Sequence, residues 1–353
     1  MDFGTRTVLV TGATGWLGLN LVHALAHGLA DVDRLKRPQP GLKIRCLVLP
    51  GAETSRLEAV SDRVEVVPGD VRSLKDCRRF CAGAAGAVLF HTAGIIHPKR
   101  VSEFYRVNVQ GTADLLDAAA ESGVRRAVVA SSNSPCGCNP HPDHRFDEAS
   151  PYRPYMNYGR SKMLMEQTVL DTGRLGRIET VVVRPPWFYG PHQPPRQSLF
   201  FQMIRAGKFP QVGPGDNLRS MVYIDNLCQG FLLAALVDPA AGETYWIADR
   251  RPYSMTEIVE TTRRVLESEL RVQCSPGRVR LPSVVGRIAW FADAAIQGVG
   301  LYHPKVHVLS EMGRSIACSV AKARRELGYE PTVELEEGMT RSVRWVVRNG
   351  MTI

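Results

Sequence analysis

The sequence predicts an α/β protein, with a doubly wound parallel sheet and a smaller α/β carboxyl-terminal part. Three observations indicate this fold. Short runs of β-branched and aliphatic residues alternate with helical patterns, glycines follow the first run at a regular spacing, and polar side chains follow two later runs. Such alternation is typical of parallel sheets covered by helices on both faces. We expect a first domain at residues 1–186, its sheet completed by segments near 220–250, and a second part at 187–353 that interleaves with it.

Composition and charge exclude several classes of protein. Of the 353 residues, 44% are apolar and 22% are charged, which is ordinary for a soluble globular chain and excludes fibres and disorder. The net charge of +9 is spread along the chain, so we expect an anionic small-molecule ligand rather than a nucleic acid. The first apolar run is too short for a signal peptide, and no run reaches the ~18 apolar residues of a membrane span. We therefore expect a cytoplasmic protein without a stable membrane span.

The cysteines do not form a zinc-binding pattern. The eight cysteines include two closely spaced pairs, Cys77 with Cys81 and Cys136 with Cys138, but neither pair is completed to a set of four ligands. We interpret them as reduced thiols and expect no metal.

The first strand and the glycines after it carry the strongest local signal. Residues 7–18 read TVLVTGATGWLG, and a helical pattern follows from Leu17 to Leu29. Gly12 permits a tight turn, Gly15 lets backbone amides approach a pyrophosphate, and Gly18 allows the helix to pack closely on the strand. The helix N-terminus then faces the anion. This order of elements predicts a Rossmann-type site for a dinucleotide.

The cofactor's adenosine is expected to bind at the ends of the second and third strands. The second strand, residues 44–49, ends with neither the acidic residue that binds the ribose of NAD nor an Arg that meets the extra phosphate of NADP. The choice between NAD and NADP therefore stays open, with Arg45 and Arg56 as nearby cations. The third strand, residues 64–67, is followed by Asp70, which is expected either to accept from the adenine amino group or to form a turn.

The fourth and fifth strands lead to the expected reaction centre. After residues 87–91, the small residues Ala93 and Gly94 let a cofactor pass close to the backbone. A helix opening at residue 107 fits a crossover to the fifth strand, residues 127–130. That strand delivers Ser131, Ser132 and Asn133 at its carboxyl end, where parallel sheets bind ligands, although a plain serine turn is the alternative.

A tyrosine and a lysine lie on the next predicted helix. Tyr158 and Lys162 are four residues apart and so share one helix face, where the ammonium favours ionisation of the phenol. By itself this spacing is also typical of an ordinary helical pair. Because the pair comes after the fifth strand and its serines, we interpret it as a general acid/base beside a nicotinamide.

Taken together, these stretches resemble the extended short-chain dehydrogenase/reductases, also called the NAD-dependent epimerase/dehydratase superfamily. Within that group the chain is most similar to the branch of 3β-hydroxysteroid dehydrogenases and dihydroflavonol-reductase-like proteins. The matching stretches cover nearly the whole chain: TGATGWLG at 11–18, GDV at 69–71, HTAG at 91–94, NVQGT at 108–112, SS at 131–132, YGRSK at 158–162, RPPWFYGP at 184–191, VYIDN at 222–226 and KARRELGYEP at 322–331.

The resemblance implies a role for each matching residue. Tyr158 would move a proton to or from the substrate oxygen, Lys162 would bind the nicotinamide ribose and lower the Tyr158 pKa, and Ser132 would hydrogen-bond the substrate oxygen. The cofactor contacts it implies are Gly12, Thr14, Gly15, Trp16, Leu17 and Gly18 at the pyrophosphate, Asp70 and Val71 at adenine, and Ala93, Asn108, Tyr158, Lys162 and Pro185 along the rest. For Asn108, a helix cap is the alternative.

The two residues after the catalytic serine narrow the possible reactions. Sugar-nucleotide 4,6-dehydratases of this family carry an Asp-Glu pair there, whereas this chain has Asn133 and Ser134, which cannot do that acid/base work. Arg219 stands where sugar-nucleotide epimerases hold a diphosphate, but the tail lacks their Arg-Pro-Gly-Asp segment. We therefore expect a dehydrogenase or reductase acting on a secondary alcohol or ketone, with an epimerase as the alternative and a non-catalytic NAD(P)-binding regulator or scaffold as another.

The part at 187–353 is expected to recognise the substrate, with Asn133, Trp187 and Arg219 as candidate contacts. The apolar segment 282–301 favours a core helix, although it would also suit the wall of a pocket for a bulky apolar substrate, or a membrane surface. A homodimer is expected only from the resemblance.

Overall fold

The structure is a computed structural model, and it describes residues 1–277 and 279–353. The strands are Thr7–Thr11 (β1), Lys43–Val48 (β2), Val64–Pro68 (β3), Val88–His91 (β4), Arg126–Ala130 (β5), Glu179–Arg184 (β6), Trp187–Tyr189 (β7), Pro210–Val212 (β8), Leu218–Arg219 (β9), Met221–Tyr223 (β10), Thr244–Trp246 (β11), Tyr253–Ser254 (β12) and Val279–Leu281 (β13). The helices are Trp16–His27 (α1), Ser55–Glu58 (α2), Leu74–Cys81 (α3), Val101–Phe104 (α4), Gly111–Glu121 (α5), Met156–Arg174 (α6), Pro195–Arg205 (α7), Ile224–Leu236 (α8), Met255–Leu270 (α9), Ser283–Gly298 (α10), Pro304–Glu311 (α11), Ala321–Leu327 (α12) and Leu335–Arg348 (α13).

The central sheet is parallel and has the order β11-β6-β5-β4-β1-β2-β3. The chain runs outward from β1 through β2 to β3 and then returns to β4 on the other side of β1. The strand order therefore reverses between β1 and β4, and a ligand crevice opens beyond their carboxyl ends at Thr11 and His91. The predicted doubly wound parallel fold is confirmed.

Helices cover both faces of this sheet. On one face α1 packs against α8, which also contacts β5 and β6, and on the other face α3, α5 and α6 lie side by side. Strand β1 shows the alternation that this requires, because Val8 and Val10 belong to the core on one face and Leu9 to the core on the other. The segments α8 and β11 both come after residue 187, so the later part of the chain contributes to the sheet and to its cover.

The crossover between β4 and β5 differs from the expected helix. It consists of α4, a π-helical segment at Tyr105–Gln110, and α5. A π-helical turn holds one more residue than an α-helical turn, so it rotates the side chains that come after it. The segment faces α6 and carries Asn108 into the interior.

The later part of the chain adds small two-stranded sheets, β7 with β10, β8 with β13 and β9 with β12, together with a helical hairpin of α10 and α11. The prediction of a core helix at 282–301 was wrong for most of its length. The side chains of Val284, Ile288 and Phe291 are exposed, and the buried residues of α10 are Ala289, Asp293 and Gln297.

In the part of the chain that the structure describes, no helix is both long and apolar enough to cross a membrane.

Candidate active site

The glycine turn after β1 is built around two close approaches of the backbone. Gly12 has a positive φ of 69°, and a Cβ there would lie 2.6 Å from the backbone nitrogen of Ala93. A Cβ at Gly18 would overlap the carbonyl oxygen of Gly12. The Gly15 amide donates to that carbonyl at 2.9 Å, and Gly15 is the N-cap residue of α1. Only glycine fits at positions 12 and 18, as the sequence pattern predicts.

We expect Gly18→Ala to lower the free energy of unfolding by about 1 to 3 kcal/mol, because the new methyl group forces α1 away from the turn. Cofactor affinity should fall with it, since the same turn is the predicted pyrophosphate site. Urea unfolding and a cofactor fluorescence titration measure the two effects. Gly298→Ala is the control, because a Cβ there meets no atom within 4 Å. Equal stability of the two variants would show that α1 does not need the close approach.

His91 is a buried packing residue at the end of β4. Its Nδ1 lies 2.7 Å from Thr11 Oγ1 and its Nε2 lies 2.9 Å from Thr112 Oγ1. Thr112 donates its own proton to the Asn108 carbonyl, so it accepts from His91, which carries its proton on Nε2. Burial, with a smaller effect of Lys162, lowers the pKa of His91 to about 3. The imidazole is therefore neutral and structural.

Asn108 connects the loop after β4 to the helix of Tyr158. Its Oδ1 accepts from the Ile95 amide at 2.9 Å, and its Nδ2 donates to the Ile95 carbonyl at 3.2 Å and to Ser161 Oγ at 3.1 Å. The side chain is buried inside the π-helical segment, so the alternative of a helix cap is wrong. The loop it holds runs past Lys162, because a Cβ at Gly94 would lie 4.0 Å from Lys162 Nζ.

The structure brings Ser132, Tyr158 and Lys162 to the carboxyl end of β5. The Ser132 side chain lies close enough to the Tyr158 phenol to act on its pKa. The Tyr158 ring packs on Phe104 with centroids 5.6 Å apart. Ser132 Oγ also accepts from the Ser134 amide at 3.3 Å. Lys162 is buried and donates from Nζ to the Ala130 carbonyl at 2.7 Å. A phenol and a hydroxyl thus lie side by side at this end of the sheet, with a cation one helical turn after the phenol.

Burial controls the pKa values of this group. It raises the pKa of Tyr158 to about 12, against the opposing effect of the Ser132 hydrogen bond, and it lowers the pKa of Lys162 to about 8. The net shift of the Tyr158 pKa is therefore upward, whereas the resemblance implies a lowering by Lys162. The Lys162 ammonium is directed at the Ala130 carbonyl, and burial is the largest cause of the Tyr158 shift.

Comparison with known proteins decides the family. The profile of the NAD dependent epimerase/dehydratase family matches residues 8–248, which is more than half of the chain. The chain belongs to this family. The resemblance to extended short-chain dehydrogenase/reductases is confirmed, and the protein is an NAD(P)-dependent enzyme of that group.

Three relatives within this epimerase/dehydratase family span nearly the whole chain. An uncharacterized protein of Sinorhizobium fredii is 52% identical over 346 residues, covering 98% of this chain and 96% of the relative. A 3-beta-hydroxysteroid dehydrogenase of Mycolicibacterium neoaurum is 32% identical, covering 94% and 89%. A 4-hydroxy-2-methyl-3-oxo-4-farnesyl-3,4-dihydroquinoline-1-oxide ketoreductase of Stigmatella aurantiaca is 29% identical, covering 94% and 93%.

A solved structure of the family agrees with the fold. The dTDP-glucose 4,6-dehydratase of Streptomyces venezuelae, crystallised with NAD, superposes with a TM-score of 0.73 at 26% identity, covering 97% of both chains.

The residues present in this family member fit a bound dinucleotide. Thr14 and Gly15 are exposed at the N-terminus of α1, where free backbone amides attract a phosphate. A side chain at Gly12 or Gly18 would collide with the backbone of Ala93 or Gly12 and so would distort this turn. Leu17 is buried beneath the turn, and Trp16 donates from Nε1 to the Pro191 carbonyl at 2.8 Å, which joins the turn to the later part of the chain.

The other predicted cofactor residues lie around the same crevice with different partners. Asp70 is engaged by Arg72, whose Nε lies 2.9 Å from its carboxylate, and this ion pair lowers the Asp70 pKa. Val71 is buried beside Gly111, Pro185 is buried directly after β6, and the Ala93 amide donates to Thr11 Oγ1 at 3.3 Å.

The two cations considered for NADP already have partners. Arg45 pairs with Glu65 at 3.1 Å and reaches the Ala82 carbonyl, whereas Arg56 contacts His192 at 2.9 Å. The choice between NAD and NADP stays open.

The candidate substrate residues are not all brought together. Asn133 Oδ1 lies 3.5 Å from Ser132 Oγ, next to the reaction centre. Trp187 instead packs on Phe200 with ring centroids 5.3 Å apart. Arg219 donates from Nη2 to the Glu311 carbonyl at 2.6 Å, at the end of α11. Only Asn133 directly contacts a predicted catalytic residue.

A buried ion pair behind the catalytic residues was missed by the sequence reasoning. Glu166, one turn after Lys162 on α6, pairs with Arg184 at 2.6 Å, with 0% and 4% of their side chains exposed. Ser131 Oγ donates to Glu166 at 2.5 Å and the Tyr152 hydroxyl donates at 2.8 Å. Ser131 thus holds the end of β5 to α6, which leaves Ser132 for the crevice. The one available signal was the helical spacing of Lys162 and Glu166.

The depressed pKa of Lys162 predicts a rise in stability with pH. A folded pKa of about 8 against an ordinary value of 10.5 means that the unfolded chain holds this proton more tightly. The free energy of unfolding should therefore increase between pH 8 and pH 10.5, by about 3 kcal/mol more in the wild type than in Lys162→Met. Urea unfolding of both proteins across this range measures the difference. A difference that does not change with pH would rule out a charged, desolvated Lys162.

In the described residues 1–277 and 279–353, no cluster of three or more His, Cys, Asp or Glu side chains could hold a metal ion.

Proposed function

We propose that this protein is an NAD(P)-dependent oxidoreductase that transfers hydride between the nicotinamide and the carbon of a secondary alcohol or ketone on a bulky apolar substrate. The observation that carries the proposal is that Ser132 and Tyr158 lie side by side beyond the carboxyl end of β5, with the buried Lys162 one helical turn after Tyr158. The bound nicotinamide supplies or accepts the hydride.

Tyr158, Ser132 and Lys162 each have a separate role in the proposed reaction. In reduction, Tyr158 donates its phenolic proton to the carbonyl oxygen as the carbon receives the hydride, and in oxidation it takes that proton back. Ser132 donates a hydrogen bond to the same oxygen and stabilises the charge that develops on it. The raised pKa of Tyr158 keeps the phenol protonated at neutral pH, which suits reduction. The role we assign to Lys162 is to hold the nicotinamide ribose.

The apolar character of the substrate is supported by two relatives. One is named as a steroid dehydrogenase and the other as a ketoreductase of a farnesylated quinoline, and both names describe ring systems that carry a secondary alcohol or a ketone. In this chain we propose that the part from residue 187 on recognises the apolar body of the substrate. Aromatic side chains stand beside the reaction centre, because the Phe104 ring contacts both Tyr158 and Tyr302.

Epimerisation of a nucleotide sugar is the second candidate. Arg219 favours it, because its Nε is buried without a hydrogen-bond partner. An unpaired N–H of a guanidinium can donate to an anion such as a diphosphate. Against it, the Nη2 of the same guanidinium is held by the Glu311 carbonyl. Dehydration is disfavoured because Asn133 and Ser134 stand where two acidic residues are needed.

The test is purified protein with NAD or NADP and panels of hydroxysteroids and other secondary alcohols, and with NADH or NADPH and a panel of polycyclic ketones. We expect reduced-cofactor absorbance to rise with an alcohol and to fall with a ketone. Isomerisation of a UDP-sugar without net cofactor change would establish the epimerase instead. Cofactor binding without turnover of any compound would support a non-catalytic regulator and contradict the oxidoreductase.

A further inference from the structure

The helix that carries Tyr158 begins without a cap of its own. Its N-cap residue, Tyr155, makes no side-chain hydrogen bond to the first turn, and Met156 has a positive φ of 51°, which is costly for a residue other than glycine. The first amides of a helix have no partner within the helix and need an acceptor from elsewhere. The start of α6 therefore depends on another element to hold it.

That acceptor comes from α10. Gln297 Oε1 accepts from the backbone amide of Asn157 at 3.1 Å and from the Asn157 side chain at 3.0 Å. The Tyr105 hydroxyl donates to Asn157 Oδ1 at 2.7 Å, so both ends of this amide are fixed. Asn157 directly precedes Tyr158, and the catalytic phenol is thus tied to the π-helical segment on one side and to α10 on the other.

The orientation of the Gln297 amide is set by a buried carboxylate. Gln297 Nε2 donates to Asp293 Oδ1 at 2.9 Å, which obliges Oε1 to face Asn157. The other carboxylate oxygen, Asp293 Oδ2, lies 2.7 Å from Nδ1 of His307 on α11. Asp293 is fully buried, and Gln297 and His307 are 5% and 6% exposed.

A second hydrogen-bond chain joins the same two regions. Ser310 donates to the His307 carbonyl at 2.7 Å, so the Tyr155 hydroxyl, 2.7 Å from Ser310 Oγ, must be the donor to it. Tyr155 also packs its ring against His307 with centroids 5.6 Å apart. Both hydrogen-bond chains connect the α10–α11 hairpin to Tyr155 and Asn157, the two residues that flank Met156.

The side chains that make these contacts lie on the inward face of α10, a helix whose outward face is largely apolar and exposed. Asp293 and Gln297 stand one turn apart, and with Ala289 they are the buried residues of α10. Burying an amide and a carboxylate is costly unless each atom is paired, and here the pairing leads to the first turn of α6.

We propose that Gln297 and Asp293 are positioning residues for Tyr158, through which the α10–α11 hairpin fixes the catalytic phenol relative to the nicotinamide. Hairpin residues in the substrate-recognising part thereby set the geometry of proton transfer. The kinetic part of this inference rests on the proposed oxidoreductase function, whereas the structural part does not.

The test is a pair of single variants and their combination. Asp293→Asn places an amide donor against the Gln297 amide donor, and Gln297→Glu places two carboxylates against each other. In the double variant, the new amide at position 293 donates to the new carboxylate at position 297, which still accepts from Asn157. The oxygen of that new amide still accepts from His307. We expect kcat to fall by about tenfold to a hundredfold in each single variant. The double variant should recover most of that loss, with the Kd for the cofactor unchanged throughout.

Hydrogen exchange of the amides at 156–160 gives a readout that needs no substrate. Exchange should speed up in both single variants and return towards the wild-type rate in the double variant. Gln193→Ala is the matched control, because Gln193 is 2% exposed and pairs with Ser198 away from α6. It should leave both kcat and this exchange unchanged.

The possible results distinguish the positioning role of Gln297 and Asp293 from the proposed oxidoreductase function. A double variant no better than the single variants, or single variants with wild-type kcat, would overturn the positioning role. If the wild type turns over no alcohol or ketone, the proposed function fails, and the exchange rates alone decide whether Gln297 caps α6.

Discussion

Tyr158→Phe is expected to lower kcat by a factor of about 10³ while leaving the cofactor's Kd within about twofold of the wild type. The substitution removes the proton that the substrate oxygen receives and keeps the ring that packs on Phe104. Because the Tyr158 pKa is raised to about 12, no appreciable phenolate exists at neutral pH, and the loss should be largest for ketone reduction. Steady-state kinetics and a fluorescence titration of the cofactor measure the two parameters.

Tyr245→Phe serves as the control for this experiment. Tyr245 lies on β11, where its hydroxyl bonds to Glu326 at 3.1 Å, and it has no contact with the reaction centre. Its kcat should match the wild type. A Tyr158→Phe enzyme that kept more than about a tenth of wild-type kcat would assign the proton to another group.

Glu166→Ala is expected to cost about 3 to 5 kcal/mol of unfolding free energy, because it leaves the Arg184 guanidinium buried without a counter-charge. Burial acts to lower the Arg184 pKa, but the pairing with Glu166 outweighs it and raises that pKa above the ordinary value. Ser131 and Tyr152 would lose their acceptor as well. Chemical denaturation followed by circular dichroism measures the change.

Two further variants show whether the uncompensated charge is the cause. Glu166→Leu combined with Arg184→Met removes both charges and should be considerably more stable than Glu166→Ala alone. Glu269→Ala breaks the exposed pair with Arg344, 2.7 Å long, and should cost less than about 1 kcal/mol. If the double replacement were as unstable as the single one, packing rather than charge would explain the loss.

Features that depend on a local sequence pattern could be predicted from the sequence alone. The glycines after β1 were predictable because a Cβ at Gly12 or Gly18 collides with backbone, so the requirement falls on single residues. The first strands of the central sheet were predictable because most are short aliphatic runs that alternate with helical patterns. Tyr158 and Lys162 share a helix face through their spacing alone.

Features that depend on pairing across the chain were not predictable in this way. Glu166 and Arg184 lie on different elements, and nothing in either local pattern indicates the partner. The same holds for Gln297, whose contact with Asn157 joins residues 140 positions apart. The direction of the Tyr158 pKa was missed for a related reason. The helical spacing places Lys162 near the phenol but does not reveal the depth of burial or the Ala130 carbonyl that takes the ammonium.

The apolar stretch at 282–301 shows the limit of composition as a guide. Its aliphatic and aromatic residues favoured a core helix, yet Ile288 and Phe291 are 62% and 65% exposed while Asp293 is fully buried. The polar residues face inward because they have partners at the start of α6 and on α11. Hydropathy records how apolar a segment is, but not which of its side chains find a hydrogen bond inside the protein.

In the proposed reaction, hydride passes between the nicotinamide and the carbinol carbon of the substrate. The most direct measurement of this transfer is reduction of a polycyclic ketone with NAD(P)H that carries deuterium at the transferred position of C4, followed by mass spectrometry of the product. We predict one deuterium on the carbinol carbon for each cofactor oxidised, and about a thousandfold less labelled product when Tyr158→Phe replaces the wild type over the same period. A product without deuterium, or a UDP-sugar epimerised with no cofactor consumed, would contradict the claim.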